Sequence, residues 1–141
     1  MVLPNIKELK ELAKLRLKEA ESLFDAGLYD GTAYLCGYAV EFALKARICK
    51  LLEINDYPDS GKMKQVYAVH DLEQLLLLAG LRNKLRSADI DIQANWSDAT
   101  PWSPETRYSP KGSVSRSEAE KLLNAIRDNA KGVLKWIMKY W

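Results

Sequence analysis

A chain of 141 residues with 48% hydrophobic and 28% charged side chains has the make-up of one soluble globular domain spanning 1–141, which excludes a disordered, membrane-embedded or multidomain architecture. Lys and Arg number 21 against 19 for Asp and Glu, a formal charge of +2, so the chain lacks a broad basic surface and any anion site has to be local. At this size about two thirds of the unfolded surface is buried on folding, enough for a core without disulfide or metal staples.

Asn5 followed by Glu8 reads as a reciprocal helix cap. Leu9, Leu12, Leu15, Leu23 and Phe24 then keep helical spacing to a stop at Gly27, giving helix one over about 6 to 26. Asp30 reads as the cap of helix two, which runs to about Glu53 and forms an antiparallel hairpin with helix one. Ile54 to Val69, with Pro58, Asp59, Ser60 and Gly61, reads as a loop or mobile excursion. Asp71, with Gln74 as partner, opens a short helix carrying Leu72, Leu75, Leu76 and Ala79 to Gly80. A turn and a further helix over about 89 to 98 follow, ended by Thr100-Pro101. Ser103 to Val114 is irregular, and Ser115 with Glu118 forms a capping box for one long last helix through Leu122, Leu123, Ile126, Val133, Leu134 and Ile137. No segment alternates with period two, so the fold expected is all-α: an antiparallel up-and-down bundle of four to five helices.

Cys36 and Cys49 lie about 20 Å apart along one helix, too far for an intrachain disulfide. With a single histidine, they assemble no His/Cys zinc site, and no metal and no cofactor is expected. Met1-Val2-Leu3-Pro4 runs straight into a charged amphipathic segment, and no apolar run reaches the length of a membrane span; a cytoplasmic protein is expected.

Helix two carries the unusual pattern. Tyr34, Tyr38, Glu41 and Lys45 project within ~60° of one another, a polar stripe between two apolar flanks, with Ala33, Val40, Leu44, Ile48 and Leu51 on one side and Leu35, Ala39, Phe42, Ala46 and Cys49 on the other. A helix apolar on both flanks is normally buried, and the second flank is expected to find its cover in a second copy, a homodimer through helix two. Glu41 and Lys45 have the spacing and order of an ion pair. That pair with two tyrosines is read either as a structural network or as one wall of a polar groove, Lys45 being available for a phosphate.

The run Gly37-Tyr38-Ala39-Val40-Glu41-Phe42-Ala43-Leu44-Lys45-Ala46, then Val69-His70-Asp71-Leu72 with Leu75 and Leu76, then Arg107-Tyr108-Ser109-Pro110, resembles the HEPN family, the higher eukaryotes and prokaryotes nucleotide-binding domains. The features follow the family's order from about Ala20 to Trp136. The resemblance implies a compact, usually dimeric helical bundle that binds nucleotide and is often the partner of a minimal nucleotidyltransferase in a prokaryotic toxin–antitoxin type system. In many members it also implies a metal-independent ribonuclease built on an Arg-x(4–6)-His motif. That motif is absent here: the positions after Arg107 hold Gly112, Ser113 and Val114, and those before His70 hold Gln65, Lys64 and Met63.

His70 is the one side chain suited by type to proton transfer near neutral pH, and is read either as a helix-start packing residue or, if tertiary folding brings Arg107 close, as half of a composite acid–base pair. The loop from Arg107 to Ser113 enters a helix start, where free N–H groups suit an anion; Arg107 offers a bidentate phosphate contact, Lys111 a point charge and Tyr108 a stacking face. The alternative for Arg107 is a loop anchor on a carboxylate, and Glu118 and Glu120 already place negative charge in that first turn. Trp96, Trp102, Trp136 and Trp141 are assigned to packing. The expected ligand site is therefore Tyr38, Glu41, Lys45, Arg107, Tyr108 and Lys111, with His70 and Arg107 as candidate catalytic groups for a nucleotide or RNA substrate. A ribonuclease with a redistributed Arg/His pair and a dimeric scaffold without ligand are the alternatives.

Overall fold

Local capping decides where most helices begin. In the computed structural model, which describes residues 4–58 and 61–141, α1 runs Ile6–Asp25 and Asn5 caps it as expected, its Oδ1 accepting the Glu8 N–H at 2.9 Å while its Nδ2 donates to the Glu8 carboxylate at 3.1 Å. Met1 to Leu3, and the Asp59-Ser60 step of the expected turn, lie outside the described residues. The remaining elements are α2 (Tyr29–Leu51), α3 (Gly61–Tyr67), α4 (Leu72–Leu78), α5 (Arg82–Arg86), α6 (Ile90–Ala99), a 3-10 turn (Pro104–Tyr108), α7 (Arg116–Arg127) and α8 (Val133–Met138). Asp71 caps α4 through the Gln74 N–H, and Ser115 caps α7 through the Glu118 N–H, again as the spacing predicts. The fold is all-α, with more helices than the four or five expected.

Three expectations are corrected. The segment after α2 is not a free excursion: Tyr57 is buried against Leu9, Ala46 and Cys49, its hydroxyl donates to the Tyr67 carbonyl at 2.7 Å, and α3 forms within the stretch. The last helix is two helices. Asp128 turns its carboxylate onto the Ala130 and Lys131 N–H groups at 3.1 and 2.7 Å, offering the backbone an alternative to the helical ladder, and a Cβ on Gly132 would overlap the Asp128 backbone. Asp30 does not cap α2; Leu28 stands at that position with no side-chain cap, and the Asp30 carboxylate reaches across to a later loop.

The core is arranged around α2. α1 packs along it and α4, α7 and α8 close further sides, so that Val40, Leu44 and Ile48 on one flank and Ala39, Ala46 and Cys49 on the other are all buried inside a single chain. The chain's own helices cover most of both flanks, leaving Leu35 and Phe42 half-buried and Leu51 exposed. Cys36 and Cys49 are free and buried, and burial pushes their thiols up to about 12 and about 11. Among the described residues no helix is long and apolar enough to cross a membrane.

Candidate functional site

The site forms where α2 meets the segment around the 3-10 turn. Gly37 is the structural key: the Trp102 indole lies on its Cα, so closely that any Cβ there would sit inside the ring. A glycine in mid-helix weakens the helix by about 1 kcal/mol relative to alanine, and here it makes room for an aromatic ring. Trp102 is held in register by its Nε1 donating to the Tyr34 carbonyl at 3.1 Å and by an edge-on contact with Tyr38, ring centroids 5.0 Å apart. Ser103 accepts the Glu105 N–H and starts the 3-10 turn that carries Arg107.

On the other side, the chain enters α4 with Asp71 as cap, and Leu72, Leu75 and Leu76 bury their side chains completely or nearly so. This fixes His70 over α2. Its Nδ1 lies 2.9 Å from Oε1 of Glu41, while Oε2 of Glu41 accepts from the Lys45 ammonium at 3.3 Å. Glu41 is 1% exposed, and both its oxygens are thereby satisfied. A carboxylate only accepts, so the Nδ1 facing it carries the proton, and in the neutral ring Nε2 is the remaining acceptor.

Tyr38, His70, Asp71, Trp102, Ser103, Pro104, Glu105 and Arg107 line one cleft of about 450 Å³, within the range of small-molecule sites. The fold therefore brings the two candidate catalytic residues, His70 and Arg107, into a single cleft of one chain. The Arg107 guanidinium is held firmly charged by hydrogen bonding with the Tyr34 phenol and then with that of Tyr108. Burial, followed by hydrogen bonding and charge repulsion from Tyr34 and by the nearby Glu41 carboxylate, pushes the Tyr38 phenol up to about 12, an effect Arg107 partly offsets.

The other expected site residues are placed differently. Lys45 does not face the cleft: its ammonium is shared between Glu41 and the ring of Tyr57, 5.0 Å away. Tyr108 is 75% exposed and lies under its own neighbour, the Arg107 guanidinium 4.8 Å from its ring centre. Lys111 lines a separate small cleft with Asp30, Gly112 and Val114. The N–H groups of Gly112 and Val114, in the loop before the α7 helix start, donate to the Asp30 carboxylate at 2.7 and 2.9 Å and hold Asp30 below the usual carboxylate range. Trp102, assigned only to packing, Asp71, expected only as a helix cap, and Ser103, Pro104 and Glu105, to which no site role was given, are the lining residues the sequence reading missed. Gly37, one of two glycines in helix two and the one further inside it, was the signal that something packs there.

The chain matches the HEPN domain family over residues 6–139, nearly its full length, and belongs to that family. Comparison with curated proteins and with solved structures found no match.

Proposed function

We propose that this HEPN domain binds a nucleotide or related phosphate ester in the cleft between α2 and the 3-10 turn. The observation that carries the reading is the convergence of Arg107 and His70 on one cleft, with Glu41 behind the imidazole. Arg107 takes the phosphate through its planar fork of donors, and His70 Nε2 accepts from a ligand hydroxyl or amine. Tyr38 and the edge of Trp102 form the apolar floor for sugar or base. Thermal melting with added nucleotides tests this: a ligand at a hundred times its Kd stabilises the parent by about 2.7 kcal/mol, and Arg107→Ala abolishes the shift without unfolding the protein. Absence of stabilisation by every nucleotide refutes the reading.

Family membership supports a wider role as the partner of a minimal nucleotidyltransferase in a prokaryotic toxin–antitoxin type system, acting as a homodimer. Co-purification with such an enzyme, and light scattering at micromolar concentration, test the two associations. On α2 the apolar side chains left for a second copy are the half-buried Leu35 and Phe42 and the exposed Leu51.

The Glu41–His70 contact favours a second reading, cleavage of RNA without metal. His70 Nε2 removes the proton of a ribose 2′-hydroxyl, the 2′-oxygen attacks the adjacent phosphorus beside Arg107, and the proton then passes from His70 to the departing 5′-oxygen, leaving a 2′,3′-cyclic phosphate. RNA cleavage in the presence of EDTA that disappears in both His70→Ala and Arg107→Ala supports it; no cleavage by the parent removes it.

A further inference from the structure

The charges around the cleft say which phosphate ester it takes. Among the described residues lining it, Arg107 is the one permanently cationic side chain, and it shares the cleft with two acidic residues, Asp71 and Glu105. The other cations that the sequence offered for additional phosphates lie outside this cleft. Lys45 is held by Glu41 at 3.3 Å and lies over Tyr57. Lys111 belongs to a different cleft. The Gly112 and Val114 N–H groups hold the Asp30 carboxylate.

We infer that the cleft is selective for a nucleoside carrying a single phosphate, a nucleoside monophosphate, and rejects nucleoside triphosphates. This rests on the nucleotide-binding reading and sharpens it. One phosphate pairs with Arg107 while its nucleoside supplies hydroxyl and amine donors, the complement of the acidic residues Asp71 and Glu105 and of His70 Nε2. A triphosphate brings about two further negative charges into a cleft whose described lining holds no second permanent cation for them and two acidic residues to repel them. At separations of about 8 Å in moderate salt, such repulsion lowers affinity roughly tenfold.

Titration calorimetry of the intact protein with AMP, ATP, GMP and GTP, in EDTA so that no divalent ion masks the phosphates, tests the inference. The expected result is that each monophosphate binds about tenfold or more tightly than its triphosphate. Glu105→Gln is expected to narrow that ratio roughly threefold and Glu105→Lys to reverse or erase it, each leaving the melting temperature of the unliganded protein unchanged because Glu105 is exposed. Triphosphates that bind as well as monophosphates overturn the selectivity while leaving nucleotide binding intact, and so does a ratio unmoved by either Glu105 variant. Binding of neither class overturns both.

Discussion

Two carboxylates of the same helix reach a later segment of the chain, with opposite results. Asp30, in the first turn of α2, is half-buried and accepts two backbone N–H groups of the loop before α7. It thereby takes up both N–H groups with the protein's own anion. Glu41, mid-helix and buried, accepts from one nitrogen of His70 and leaves the other free toward a cleft. The first contact is a strut because it exhausts its partner. The second is the back wall of a site because its partner still has a hydrogen-bonding atom to offer. The residue type does not separate them; what the partner has left over does.

Removing each carboxylate breaks this comparison most directly. Glu41→Ala is expected to cost about 3 kcal/mol in urea denaturation, since it opens a void and strands the Lys45 ammonium, whose side chain is 14% exposed. It also abolishes nucleotide-induced stabilisation, and a variant that retains ligand binding contradicts the placing of Glu41 behind the site. Gly37→Ala comes next, at about 2 kcal/mol, because the Trp102 ring has to leave its seat; calorimetry should show weaker ligand binding as the floor shifts.

Asp30→Asn has a smaller, local effect. Amide exchange at Gly112 and Val114 is expected to accelerate while core amides stay as they were. Because the folded-state value of Asp30 is depressed, its contribution is present above the ordinary 3.8 and is lost as pH falls through the lower folded value, so parent and variant melting curves converge in acid. The smallest effect is alkaline. The Tyr38 phenol, raised from 10.0 to about 12, adds stability that is fully present below pH 10 and is lost as pH rises toward about 12, and Tyr38→Phe should remove that part of the slope in a pH-dependent melt.

What could be read from the sequence was what acts over three or four residues. The caps Asn5–Glu8, Asp71–Gln74 and Ser115–Glu118 and the Glu41–Lys45 pair are all of this range, and each is found. Asp30 binds residues 82 and 84 positions away, and no local pattern marks such a pairing. The break between α7 and α8 was hidden because the apolar spacing from Leu122 to Ile137 continues through it, while the Asp128 side chain takes the backbone out of the helix. In the site, Tyr38, His70 and Arg107 were named from their chemistry, yet only tertiary packing decides that they meet and that Lys45 and Lys111 turn elsewhere.

The Asp30 tether bears on the dynamics of ligand capture. Arg107 sits on a short span anchored before it by the Ser103 cap of the 3-10 turn and after it by the two N–H bonds to Asp30. The backbone carrying the guanidinium is thus ordered when the chain folds, and little backbone entropy remains to be lost when a phosphate arrives. Asp30, which touches no part of the cleft, therefore acts on association as a conformational restraint, keeping the arginine near its working position in the empty protein.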